Sequence, residues 1–165
     1  MSNTPSRPVM RQCIAAVALW SLLAPANAAA GDRIKDAFVG TYLWLEDESF
    51  QRVAAISADG SFSTVSQAGP AFGFTDGLGS VERSGKRELT ATQIDFNFDA
   101  DGNPTGVSRV VFVMTFSEKR RGKFQRVQGS LVGETFAPET DPLDPASVPS
   151  DSFTFDYIGQ RVNID

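Results

Sequence analysis

From Phe38 onward the chain is a succession of short runs of β-branched and aromatic residues, punctuated by glycine, aspartate and proline. No stretch of ten residues holds a helical period. The runs predict eight strands, at 38–47, 50–57, 61–68, 80–84, 87–98, 106–118, 124–135 and 152–164. Most breaks between them are tight. Ala58-Asp59-Gly60 and Asp99-Ala100-Asp101-Gly102-Asn103-Pro104 suit hairpin turns, because Asp, Asn and Gly tolerate the positive φ that such turns need. Two breaks are longer. Residues 69–79 form a loop rich in glycine and phenylalanine, and 137–150 hold four of the nine prolines, too many for a strand or helix, and read as a surface Ω-loop. A single helical turn is expected at 32–37. Sequential antiparallel strands joined mostly by tight turns predict one all-β domain, an eight-stranded antiparallel up-and-down β-barrel in which no edge stays open; a two-sheet sandwich would use the same elements.

The first residues are excluded from that count. Met1 to Gln12 are polar with Arg7 and Arg11 as their charges, Cys13 to Leu23 are apolar, Pro25 breaks the helix, and Ala26-Asn27-Ala28 is a small-x-small site. This pattern predicts a signal peptide over 1–28, cleaved near Ala28, with the barrel domain at 29–165 and a periplasmic or secreted destination. The apolar run spans about half of what a bilayer-crossing helix needs, so no integral membrane anchor is expected. Removing 1–28 takes away the single cysteine and two arginines, and the net charge goes from −5 to −7. An acidic surface argues against nucleic acid as a partner. An exported domain without a disulfide must be held by its core, and all thirteen phenylalanines lie beyond residue 28.

The chain contains no histidine. With the cysteine gone as well, a Ser-His-Asp triad, a thiol nucleophile and a His- or Cys-ligated metal site are excluded. No metal and no cofactor is expected, and any catalysis would fall to Asp, Glu, Lys, Tyr, Arg or Ser, or else to a cofactor. Tyr42, Trp44 and Glu46 share one face of the first strand by period two. If that face points inward, Glu46 is a buried carboxylate able to act as a general acid or base; at the strand end it would lie in water. Tyr42 and Tyr157 are the other acid–base candidates. Trp44, Phe72, Phe74 and Phe96 are candidate cavity or mouth residues, with residues 69–79 as a flap or a core plug. Arg109 and Arg126, on neighbouring long strands, would clamp an anionic ligand if both pointed inward, though the surface is the commoner place for arginine. Asp99-x-Asp101-Gly102-Asn103 begins like a calcium loop but has Val110 where the bidentate glutamate belongs, and reads as a turn. Lys119-Arg120-Arg121-Gly122-Lys123 reads as a solvated hairpin tip.

Gly40-Thr41-Tyr42, early in the first strand, resembles the Gly-x-Trp opening of lipocalins and other calycins. The stretch from Gly79-Ser80-Val81-Glu82-Arg83-Ser84-Gly85 through Asp99-Ala100-Asp101-Gly102-Asn103-Pro104-Thr105-Gly106 resembles small secreted bacterial proteins with calycin-like barrels, which often carry an aromatic where this chain has Val81. The resemblance covers about residues 38–136 and rests on turns and core positions. It implies a calycin-like barrel of the lipocalin or allene oxide cyclase kind, a class that includes both binders and cyclases, so fold alone does not choose between them. The leading expectation is an exported barrel binding a small apolar or amphipathic molecule. The alternatives are a cofactor-free cyclase or isomerase and an interaction module without a pocket. The sequence leaves the oligomeric state open.

Overall fold

The computed structural model describes residues 34–163. The predicted signal peptide at 1–28 lies outside the described residues. Eight strands, β1 (Gly40–Glu46), β2 (Phe50–Ile56), β3 (Ser61–Ser66), β4 (Gly77–Arg83), β5 (Glu88–Phe98), β6 (Pro104–Arg120), β7 (Lys123–Phe136) and β8 (Asp151–Arg161), form a closed barrel in sequence order. Every neighbouring pair is antiparallel, and β1 closes on β8 with Tyr42 opposite Arg161 and Glu46 opposite Tyr157. The sandwich is thereby excluded, and the barrel has no open edge. Two local expectations are corrected. Residues 36–38 make a turn rather than a helix, and residues 69–79 are not one loop: Gly69–Phe72 is a single turn of helix, α1, and Gly77 already belongs to β4.

Alternation along each strand sorts the side chains, and the interior is layered. At one end Phe38 packs on Phe116 and Phe124, with ring centroids 5.0 and 4.9 Å apart, and Tyr42 lies on Phe116. Arg161 locks this end. It donates to the backbone carbonyls of Ala37, Val39 and Phe124 and to the Tyr42 hydroxyl, and its guanidinium occupies the space where a side chain at Gly40 would go. The middle layer is Trp44, Phe62, Phe112 and Tyr157, with Trp44 and Tyr157 stacked at 4.4 Å. That aromatic disc is seated on glycines: Gly159 leaves room for the Trp44 indole, and Gly129 lets the Tyr157 hydroxyl cross β7 to the Val113 carbonyl at 2.9 Å. The barrel is therefore solid through these two layers. The end where β1, β3, β5 and β7 finish is not.

Candidate functional site

At that end the inward positions turn polar. Glu46, Arg52, Thr64, Gln93 and Asp95 succeed one another around the wall, all buried. Arg52 Nε and its NH2 group donate to the two Glu46 oxygens at 2.5 and 3.3 Å, and its NH1 group donates to Thr64 Oγ1 at 3.0 Å. Thr64 donates to Gln93 Oε1 at 2.7 Å, and Gln93 Nε2 donates to Asp95 Oδ1 at 2.6 Å. A guanidinium only donates and a carboxylate only accepts, so the relay has one direction, from Arg52 to Asp95. It also crosses β4, which lies between β3 and β5. Gly77 makes that possible, since a Cβ there would sit on the Gln93 amide and against Asp95.

Above this polar floor is a cavity of about 430 Å³, lined by Glu46, Arg52, Asp95, Asn97, Ser108, Thr135 and Asp151 on the polar side and by Phe50, Phe72, Phe74, Val110, Phe153 and Phe155 on the apolar side. Its cover is built by residues 69–75. Phe72 meets Phe50 edge to face at 5.5 Å and is 65% exposed. The cover is tied to β5: Thr75 N–H donates to the Phe96 carbonyl, and Phe98 N–H donates to that of Gly73, whose φ of 71° favours glycine and where a Cβ would run into the Phe98 carbonyl. Burial pushes the Asp95 carboxyl up from 3.8 to about 6; Gln93 and Arg52 pull it down, and Asp76 and Glu46 raise it further.

The structure sorts the sequence candidates. Phe72 and Phe74 line the cavity mouth. Glu46 is inward and 3% exposed, not in water at the strand end, but both its oxygens are taken by Arg52. Trp44 belongs to the solid core beneath the floor, with its indole N–H unpartnered. Tyr42 lies at the closed end, donating to the Phe38 carbonyl at 2.8 Å, and burial pushes its hydroxyl up to about 12. Burial likewise raises Tyr157, with Glu46 adding to the effect, so neither tyrosine is a ready base. Phe96 points outward and is 59% exposed. Arg109 and Arg126 are on the outer wall and form no inward clamp. Arg109 binds the Pro142 carbonyl at 2.7 Å and Glu134 at 2.6 Å over the Phe136 ring, pinning the proline loop, while Arg126 reaches Gln160 and Glu118. Asp99 serves a turn: its oxygens accept from the backbone N–H groups of Asp101 and Asn103 and from the Asn103 amide.

Sequence reading missed Arg52, Thr64, Gln93, Asp95, Phe153 and Phe155. For the last two a signal existed, the period-two series Phe153, Phe155, Tyr157 in β8. Fold and site together define a closed antiparallel β-barrel, solid at one end and hollow at the other, with a polar floor under an aromatic mouth; the architecture is compatible with that of calycins. The chain matches no protein-family model, no curated protein and no solved structure.

Proposed function

We propose that the protein is an exported, calycin-like barrel that binds a small amphipathic molecule in the cavity at its open end. One observation carries this reading: a roughly 430 Å³ hollow whose upper wall is phenylalanine and whose floor is a hydrogen-bonded polar network. Apolar walls with a few convergent polar groups are the usual composition of a small-molecule site. Such an occupant would bury its apolar body against Phe50, Phe72, Phe74 and Phe153 while its polar end meets the floor. Export rests on the N-terminal pattern of residues 1–28, and N-terminal sequencing of the processed protein checks it, with Ala29 expected first. Native mass spectrometry of protein purified from its own host tests the binding reading. A retained mass that is lost on denaturation is expected. The bare polypeptide mass, together with no uptake of an apolar fluorescent probe, would overturn it.

A cofactor-free cyclase or isomerase is the second reading, favoured by one feature. Asp95 is an inward carboxyl beside an apolar hollow, and its value of about 6 suits proton exchange near neutral pH. In this reading Asp95 replaces Glu46, Tyr42 and Tyr157 as the acid–base group. Isolation of the bound molecule decides: a ligand recovered unchanged after prolonged incubation supports binding, and conversion that stops in Asp95→Asn supports catalysis.

A further inference from the structure

The floor is electrically unbalanced, which constrains the polar end of the occupant; this inference rests on the binding reading above. Two buried carboxyls line the cavity floor, Glu46 and Asp95, against one cation, Arg52, and the exposed Asp151 adds a third acidic group at the rim. That cation is committed to Glu46 through two nitrogens and to Thr64 through the third. A ligand carboxylate would have to displace Glu46 from Arg52 with other carboxylates close by. Asp95 presents the opposite case. It is 4% exposed and lines the cavity, and among the described residues its carboxylate accepts one hydrogen bond, from Gln93 to Oδ1. A carboxylate has about four acceptor sites, so most of its capacity is left for whatever enters. The charged groups that face it are Glu46 of β1, Arg52 of β2 and Asp76 of the segment before β4; β6 opposes it with the uncharged Ser108. Buried charge of this kind is costly unless paired, and among the described residues no cation forms an ion pair with Asp95.

We propose that the occupant is a cationic amphiphile, a protonated amine on an apolar body, with its ammonium seated on Asp95. An ammonium supplies donors and no acceptor, matching the open acceptor sites of Asp95. The apolar body then lies against Phe50, Phe72, Phe74 and Phe153. Asp95 is ionised at pH 7.5 and largely protonated at pH 5, so ammonium binding weakens as the pH falls through about 6.

The test is calorimetric titration of the purified protein with nonylamine, nonanol and nonanoate, three probes with one apolar chain. At pH 7.5 the amine is expected to bind at least tenfold tighter than the alcohol, and the carboxylate weakest. The amine's advantage over nonanol is expected to disappear at pH 5 and in Asp95→Asn. Alcohol binding without amine preference overturns this inference and leaves the binding reading standing; no binding by any of the three overturns both. Should Asp95→Asn fail to fold, the pH profile of the unmodified protein decides, since an amine preference unchanged between pH 7.5 and 5 is incompatible with Asp95 as its seat.

Discussion

Thr64 and Gln93 share a hydrogen bond of 2.7 Å although β3 and β5, the strands that carry them, are separated by β4. The contact passes over Gly77, so a backbone choice in one strand permits a side-chain network in two others. Gly77→Ala places a methyl group on the Gln93 amide. We expect a loss of about 1–3 kcal/mol from displaced polar groups and overpacking, read as a lower urea midpoint, together with weaker amine binding. Gly102→Ala is a control of another kind: it meets open space, and its cost comes from φ of 82° alone.

The Glu46–Arg52 pair is buried on both sides, with side-chain exposures of 4% and 7%. Removing one partner strands the other. Arg52→Met is expected to cost about 3–5 kcal/mol, whereas Glu46→Gln with Arg52→Met is expected to recover much of that loss. A double-mutant cycle in urea measures the difference; strictly additive effects would show that the pair contributes nothing.

Asp95 makes stability depend on pH in a definite direction. Its folded value of about 6 lies above the ordinary 3.8, so between these values the folded state holds more protons than the unfolded state. Its contribution is complete below pH 3.8 and is lost as the pH rises through about 6. Asp95→Asn escapes that loss. The variant is expected to be more stable than the parent by roughly 2–3 kcal/mol at pH 7.5 and close to it at pH 4, by thermal or urea unfolding at both pH values.

Phe72 is largely exposed, so its removal costs the fold little and the site much. Phe72→Ala is expected to change stability by no more than about 0.5 kcal/mol, the range of surface substitutions, and to weaken nonanol binding severalfold. Equal affinity in parent and variant would show that the occupant does not reach the cover.

At the other end, Arg161→Ala removes the donor to three backbone carbonyls. Hydrogen exchange is expected to rise at residues 37–42 and 124–127 while the cavity floor keeps its protection.

The architecture was legible because turn chemistry and period-two patterning agreed along most of the chain. Tyr42-x-Trp44-x-Glu46 grouped three side chains on one face of β1 without saying where that face points, and closure of the barrel turns it inward. In β5 the same logic favoured the wrong face: Ile94 and Phe96 invite burial, yet Leu89, Ala91, Gln93 and Asp95 point inward. Closure decides this, because the register with β4 and β6 fixes which residues face the interior, and pairing between distant strands leaves no local trace. The same cause hid Arg52 and Thr64, polar residues whose burial is justified only by partners on other strands. Arg109 and Arg126 failed as a clamp for a simpler reason. Both lie out of phase with the inward Ser108, Val110 and Val127.

The division of the barrel into a solid half and a hollow half has an evolutionary corollary. The aromatic disc of Trp44, Phe62, Phe112 and Tyr157 and the Arg161 lock are built from residues that do not line the cavity and stand apart from the rim. Descendants of this chain can therefore exchange residues such as Phe72, Phe74, Phe153 or Asp95 and acquire new chemical tastes, while the lower half drifts slowly and preserves the family likeness.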